Sequence, residues 1–198
     1  MANRTPMVTD EWYHCYNRGI DKREIFIDSY DYERLLALMY LCNSRETMKL
    51  SEYSYKGLFD FLQQDVRVGE PLVEIGAYSL MPNHYHFVLK QLVDGGIAEF
   101  MHRVFTSHTT YFNKKSVRSG GLFGDNYQSK HVDDDRYFKH LIAYVLLNPL
   151  ALLEGRKEKD LSLTLQDALN VSQYSSLRDF LGEKRLEGKI VGSELEVM

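Results

Sequence analysis

The sequence is poor in several features that mark secreted and membrane proteins. Only two of its 198 residues are cysteines and only four are prolines. Cys15 and Cys42 lie outside any CxxC pair or zinc-ligand cluster, which excludes the disulfide framework of a small secreted protein. No apolar run approaches the roughly 18 residues of a membrane span, and the N-terminal residues lack the hydrophobic core of a signal peptide. We therefore expect a cytoplasmic protein without a membrane partner.

An excess of positive charge, which would indicate nucleic-acid binding by the whole surface, is also lacking. The 24 lysines and arginines are outnumbered by 28 acidic residues, and the formal net charge is −4. Contacts with nucleic acid are therefore expected only at local basic patches. The hydrophobic fraction of 44% and the charged fraction of 26% are close to the globular average. The length predicts one domain, with a small appended piece.

The order of the predicted elements favours a βαββαβ layout. The pattern predicts a strand over 11–20, a helix over 28–42, a β-hairpin over 72–92 and a second helix over 97–115. Residues 118–132 start glycine-rich and end in a further strand, and a third helix follows over 133–148. Residues 46–71 are interpreted as an insertion with one more helix. Without the insertion, the order is that of an α+β ferredoxin-like (RRM-like) fold, an antiparallel sheet with helices on one face, to which a third helix is added. This domain is predicted to occupy residues 8–153, and residues 154–198 a small C-terminal extension.

Two histidines follow the Pro-Asn turn of the predicted hairpin. His84 and His86 are one residue apart on a strand, so both imidazoles project from one face of the sheet while Tyr85 points to the other. This geometry suits two nitrogen ligands of one metal ion. Two structural histidines would show the same spacing, and that alternative stays open at this point.

The third predicted helix carries a second set of chemical groups. His140, Tyr144 and Asn148 are spaced at i, i+4 and i+8, so they stack along one helical face. A tyrosine hydroxyl one turn before an amide can bring a nucleophile next to a ligand oxygen. We expect Pro149 to end the helix and to keep Asn148 out of helical geometry. The structural alternatives are that Tyr144 only packs in the core and that Asn148 only caps the helix.

Several segments together resemble one known family. His-x-His on a strand with a helical Tyr-x-x-x-Asn resembles the single-tyrosine HUH transposases (His, bulky hydrophobic, His), in particular the REP-associated tyrosine transposases. The segment YSLMPNHYHFVLK resembles the family's signature hairpin, and HLIAYVLLNP resembles its Tyr-Ile-x-x-Asn-Pro helix. The segment WYHCYNRGIDKREIFIDSYDYERLL resembles the family's opening strand and first helix. The segment DGGIAEFMHRVFTSHTTYFNKKSVRSGGLF resembles its second helix, and QYSSLRDFLG resembles its C-terminal segment. The resemblance spans most of residues 11–181.

The resemblance implies a metal-dependent DNA endonuclease and strand transferase, in which the third helix is catalytic. Tyr144 is implied as the nucleophile that attacks a phosphodiester of single-stranded or hairpin DNA, leaving a 5′-phosphotyrosine and a free 3′-hydroxyl. His84, His86 and Asn148 are implied as ligands of Mg²⁺ or Mn²⁺, which makes the phosphate a better electrophile. The sequence leaves open whether the chain is a monomer or a homodimer, since some relatives exchange helices in a dimer.

Contacts with DNA are expected from two segments, the end of the first strand and residues 97–132. The second segment carries five positive charges and two negative ones. Cations there can contact phosphates and aromatic rings can stack on unpaired bases, although solvated surface charge is an equal alternative for any one residue. The expected DNA-binding residues are Arg18, Lys22, Arg23, Arg103, Lys114, Lys115, Arg118, Tyr127 and Lys130.

A non-cleaving nucleic-acid-binding protein of the same fold is the main alternative. The acidic net charge favours it, as does Asn126, which stands where the resembled family has a basic residue. The joint presence of His84, His86, Tyr144 and Asn148 favours the enzyme, because a protein that only binds would not need all four. A structural protein with a histidine-bearing hairpin would explain their spacing only by coincidence.

Overall fold

Four strands form one antiparallel sheet in the computed structural model, which describes residues 6–64, 66, 68–153 and 164–192. The strands, in chain order β1 to β4, are Trp12–Arg18, Val73–Met81, His84–Gln91 and Gln128–Val132. Their order across the sheet is β2-β3-β1-β4, and each neighbouring pair is antiparallel. The predicted α+β class with an antiparallel sheet is confirmed.

Helices lie on both faces of this sheet. The α-helices, α1 to α6, are Ser29–Cys42, Leu58–Gln63, Gly96–Lys115, Asp135–Leu147, Leu165–Val171 and Leu177–Phe180. One face packs Cys15 of β1 and Phe87 of β3 against α1 and α3 in the larger core cluster. The other face packs Val88 of β3 and Val132 of β4 against α4 in a second cluster. The predicted first and second helices thus share one face, and α4, the predicted third helix, covers the other.

The turn between β2 and β3 is tied to the loop that follows β1. The carbonyl oxygen of Pro82 accepts hydrogen bonds from the backbone N–H groups of Ile25 and Phe26, at 2.7 and 3.2 Å. The carbonyl oxygen of Asn83 accepts one from the N–H of Gly19 at 2.9 Å. These bonds fix the start of β3, and with it the predicted histidine pair, relative to the end of β1.

The predicted insertion 46–71 contributes α2 to the larger core. Leu58, Phe61 and Leu62 are buried in that cluster, on the side of α1. The extra helix predicted for this segment is therefore confirmed.

The C-terminal segment covers the free edge of β2. The N–H of Leu80 donates to the carbonyl oxygen of Tyr174 at 3.0 Å, and the N–H of Ser176 donates to that of Tyr78 at 3.0 Å. The Oγ of Ser176 accepts from the N–H of Tyr78, also at 3.0 Å. An exposed strand edge would be open to pairing with other chains, so this cover protects it. The predicted domain boundary lies between residues 153 and 154, and residues 154–163 fall outside the described part of the chain.

No helix in the described part of the chain combines the length and the apolar character needed to cross a membrane.

Candidate active site

The predicted histidine pair lies on the sheet face that α4 covers. His84 pairs in register with Arg18 of β1, and His86 with Tyr16. The two imidazole rings are perpendicular, with their centroids 5.2 Å apart. Tyr85 lies on the opposite face, where its ring stacks on that of Phe105. Strand alternation therefore directs both histidines to one side, as the sequence predicts.

Asn148, just beyond the end of α4, faces His84. Its Oδ1 is 3.3 Å from Nε2 of His84, while Nδ1 of His84 is 2.6 Å from Oδ1 of Asn83. A neutral imidazole has one N–H and therefore cannot donate to both oxygens. When Nδ1–H donates to Asn83, the lone pairs of His84 Nε2 and Asn148 Oδ1 converge. A cation between these two atoms would relieve their repulsion.

The backbone prediction for Asn148 is wrong. We expected Pro149 to keep Asn148 out of helical geometry, but φ is −52° and ψ is −39° there, which is right-handed helical. The chain continues from α4 directly into a 3₁₀ helix over Asn148–Leu153. Pro149 is the second residue of that helix, a position at which a missing N–H costs nothing. Pro149 therefore ends the α-helix without removing Asn148 from a helical path.

The donor atoms of this site, two imidazole nitrogens and one amide oxygen, can hold a divalent cation. Within residues 6–64, 66, 68–153 and 164–192, no group of three or more His, Cys, Asp and Glu is placed to hold a metal ion. A site built on His84 and His86 would therefore take its third protein ligand from the amide of Asn148. Two imidazoles and an amide oxygen leave positions open for water and phosphate oxygens, which suits Mg²⁺ or Mn²⁺ better than a closed zinc site.

Tyr144 lies one helical turn before Asn148 and beside the histidine pair. Its ring meets that of His86 edge-on, with centroids 5.4 Å apart. Tyr144 is 51% exposed, so a large substrate can approach it. Tyr144 borders two adjoining cavities, of about 410 and 440 Å³. His84 and Arg18 line the first of these, and Lys130 and Tyr137 line the second.

His14 of β1 is a further residue of the site. From the sequence, β1 is expected beside the histidine hairpin, which would bring His14 near the metal site, but a packed histidine is the favoured interpretation. In the structure, Nε2 of His14 is 2.9 Å from Nδ1 of His86, and the two rings are stacked with centroids 5.1 Å apart. The signal was its place on β1, but the contact depends on the β1–β3 register, which the sequence does not give. Tyr16, whose ring lies beside both histidines, was missed for the same reason.

The three histidines of the site are held in their neutral form. Burial lowers the pKa of His86 to about 3, and the neighbouring His14 and His84 add to this effect. Burial and the charge of Lys130 lower the pKa of His14 to about 4. Burial also lowers the pKa of His84. A neutral imidazole is the form that binds a metal ion, so the site does not have to release protons near pH 7.

Two of the predicted DNA contacts lie at the candidate site. Arg18 ends β1 next to His84, and Lys130 of β4 pairs in register with His14. Both side chains are exposed, and the ammonium of Lys130 lies 4.4 Å from the ring centroid of Tyr137. Arg18 and Lys130 therefore place positive charge in the two cavities that Tyr144 borders.

Three other predicted DNA contacts have partners within the protein. Arg103 contacts Glu99 and donates to the carbonyl oxygens of Ser44 and Glu46. Lys115 contacts the carboxylates of Asp28 and of the fully buried Asp31, at 2.8 and 2.6 Å. Arg118 donates to Asn113 and to the carbonyl oxygen of Gly121. These bonds give all three a structural role that the sequence did not predict, and their contact with DNA stays a prediction.

The remaining predicted DNA contacts do not line the two cavities at Tyr144. Lys22 and Arg23 are exposed in the loop after β1, and Lys114 is exposed in the last turn of α3. Tyr127 lines a separate cavity of about 490 Å³ between α3 and the segment before β4. Their role in DNA binding also stays a prediction.

Comparison with solved structures finds the same fold in a transposase. The structure of a REP-associated tyrosine transposase bound to a REP hairpin superposes with a TM-score of 0.51 at 12% sequence identity. The match covers 94% of this chain and 89% of that one. At this identity the likeness shows a shared fold. No protein-family model matches the sequence, and no curated protein matches it.

Proposed function

We propose that the protein is a metal-dependent, single-strand DNA endonuclease and strand transferase that uses Tyr144 as its nucleophile. The observation that carries the proposal is the placement of one exposed tyrosine beside a convergent nitrogen and oxygen pair. Tyr144 lies one turn from Asn148, whose Oδ1 is 3.3 Å from His84 Nε2. The fold shared with a REP-associated tyrosine transposase supports the same conclusion.

The chemistry of a tyrosine nucleophile explains why a cation would be needed. An ordinary phenol, with a pKa near 10, is a weak nucleophile at pH 7. When bound by His84, His86 and Asn148, Mg²⁺ or Mn²⁺ would polarise a non-bridging phosphate oxygen and stabilise the charge that develops on it. The residues of the chain thus hold the phosphate next to the Tyr144 hydroxyl, which lowers the entropic cost of the attack.

The proposed reaction exchanges one phosphodiester bond for another. The Oη of Tyr144 bonds to phosphorus and loses its proton, and the bond from phosphorus to the 3′ oxygen breaks. The 3′ oxygen takes up a proton and leaves as a hydroxyl, while the 5′ phosphate stays on the tyrosine. Because the bond energy is kept in the phosphotyrosine, a second 3′-hydroxyl can reverse the reaction and join a new strand.

The two cations at the site suggest how a DNA strand is held. Arg18 and Lys130 line different cavities, and Tyr144 borders both. A strand that passes over Tyr144 would therefore place one phosphate near each cation, on either side of the bond to be cut. The solved transposase of similar fold is bound to a REP hairpin, which makes hairpin DNA with a single-stranded flank the first substrate to test.

The test is the trapping of the covalent intermediate. The protein is incubated with Mn²⁺ and labelled hairpin DNA that has single-stranded flanks, and the products are separated by denaturing electrophoresis. We expect a protein–DNA adduct that a chelator prevents. Tyr144→Phe, which removes only the hydroxyl, should lose the adduct and keep DNA binding. Tyr30→Phe, which changes an exposed tyrosine of α1 on the opposite face of the sheet, is the matched control and should keep both.

Three outcomes would count against the proposal. An adduct that persists in Tyr144→Phe, or that maps by peptide mass to another tyrosine, would show that the nucleophile is assigned wrongly. An adduct that forms equally well with chelator would remove the cation from the mechanism. DNA binding without any adduct would favour the non-cleaving binding protein.

A further inference from the structure

We infer that His14 is a positioning residue that fixes the tautomer of His86 and so leaves Nε2 of His86 free to bind the metal ion. The inference rests on the proposed function, because it concerns how a proposed ligand is prepared. It starts from the direct contact between two ring nitrogens, His14 Nε2 and His86 Nδ1, at 2.9 Å. Only 8% of His14 and 7% of His86 is exposed.

The contact distance restricts the protons of the two rings. Two ring nitrogens 2.9 Å apart share one proton in a hydrogen bond. Two protons between them would clash, and without a proton the two lone pairs would repel each other. If the proton is on His14, neutral His86 carries its own proton on Nε2 and has no lone pair there for a metal ion. If the proton is on Nδ1 of His86, Nε2 is a free ligand. The metal site therefore requires His14 to be the acceptor.

The surroundings of His14 hold its ring in place. His14 lies on β1 between strands β3 and β4, where it pairs in register with Val88 and Lys130. Its ring packs against that of Tyr16, with centroids 4.7 Å apart, and stacks on that of His86. A ring held from several sides can fix the orientation of its hydrogen-bond partner.

The same arrangement occurs at the second proposed ligand. Nδ1 of His84 is 2.6 Å from Oδ1 of Asn83. The amide oxygen of Asn83 can therefore accept the Nδ1–H of His84, as the imidazole of His14 can accept the Nδ1–H of His86. In both cases an acceptor holds the Nδ1–H and leaves Nε2 for the cation. Partners of this kind set the tautomer and the ring orientation of histidine ligands.

Two substitutions separate positioning from packing. His14→Gln places an amide oxygen near the position of Nε2 and can still accept from His86. His14→Leu fills similar space without an acceptor. We expect His14→Leu to weaken Mn²⁺ binding, measured by calorimetry without DNA, by roughly 10- to 100-fold. His14→Gln should restore most of this loss. His14→Leu should also unfold at a lower temperature than His14→Gln, because it leaves the buried Nδ1–H of His86 without an acceptor, so both affinities are measured at a temperature where the variants are folded.

The tautomer can be observed directly in the wild-type protein. Side-chain ¹⁵N NMR of the metal-free protein should show His86 with its proton on Nδ1. A proton on Nε2 of His86, or equal Mn²⁺ affinity of His14→Leu and His14→Gln, would overturn the inference. Neither readout uses Tyr144, so a wrong nucleophile would leave both unchanged. Conversely, an Nε2–H tautomer would overturn this inference and leave the adduct test of the proposed function intact.

Discussion

The side chain of Asn148 faces the proposed metal ligand His84 from a backbone that is still helical. Helical spacing places it directly after Tyr144 on one face of α4, and the β-sheet places His84 opposite that face. The proposed nucleophile and the proposed amide ligand are therefore fixed relative to each other by one continuous helical segment. A flexible loop could not hold them with the same precision.

The amide oxygen of Asn148 can be tested as a ligand by substitution. Asn148→Ala removes the oxygen, so Mn²⁺ affinity should fall by roughly tenfold or more, and the adduct with DNA should fall with it. Asn148→Asp keeps an oxygen at the same place and should retain metal binding. The thermal transition of both variants should stay near that of the wild type, because in the metal-free protein Asn148 Oδ1 faces a lone pair of His84 Nε2 at 3.3 Å and gains no hydrogen bond there. A large loss of thermal stability with unaltered Mn²⁺ affinity would make Asn148 a structural residue.

His108 gives the protein a pH-dependent stability that is independent of the candidate site. It is fully buried on α3, and its Nε2–H donates to the carbonyl oxygen of Ile25 at 2.8 Å. Burial lowers the pKa of His108 from 6.5 to about 4. As the pH falls from 6.5 to about 4, the unfolded chain takes up a proton that the folded chain does not. Stability is therefore lost on acidification, by up to about 1.4 kcal/mol per pH unit.

The contribution of His108 can be isolated with a variant that does not titrate. His108→Gln keeps a donor for the carbonyl oxygen of Ile25, so urea unfolding between pH 6.5 and 4 should show a shallower loss of stability than in the wild type. His102→Gln changes an exposed histidine on the same helix and serves as the control. Equal slopes in wild type and His108→Gln would show that His108 is not the source of the effect.

At the scale of the elements, the C-terminal segment is joined to the sheet by a buried serine. The Oγ of Ser176 accepts from the backbone N–H of Tyr78 on the edge of β2. Ser176→Ala should cost about 1–3 kcal/mol in urea unfolding, because this N–H would be left buried without its partner. Ser172→Ala is a matched control, since the Ser172 Oγ is also buried but has no hydrogen-bond partner in the described part of the chain. A cost as large for Ser172→Ala would point to packing rather than to the hydrogen bond.

Elements defined by local chemistry were predictable from the sequence, and contacts between elements were not. The turn at Pro82-Asn83 and the alternation of His84 and His86 are local, and the structure has both. The contact of His14 with His86 depends on which residue of β1 faces which residue of β3. The partners of Lys115 come from α1, so the sequence could not show that this lysine is engaged.

At the scale of the whole molecule, the net charge of −4 and a role in DNA binding are compatible because the charges are unevenly placed. Arg18 and Lys130 lie at the candidate site, while Lys115 is balanced by Asp28 and Asp31 on the opposite side of the sheet. In the proposed function, the field that a DNA strand would meet is set by the cations near Tyr144 rather than by the sum over the surface.

The dependence of DNA binding on salt tests this arrangement. Each cation that neutralises a phosphate of single-stranded DNA adds about 0.7 to the slope of log K against log salt concentration. Arg18→Ala and Lys130→Ala should each weaken binding and reduce that slope by about 0.7. Lys56→Ala removes an exposed lysine of the insertion, whose helix α2 packs against α1 on the face opposite α4, and should leave the slope unchanged. These titrations are best made in the Tyr144→Phe background, where covalent capture cannot distort the equilibrium. A slope that falls as much for Lys56→Ala as for Lys130→Ala would mean that DNA responds to the overall charge, and the proposed path over Tyr144 would be wrong.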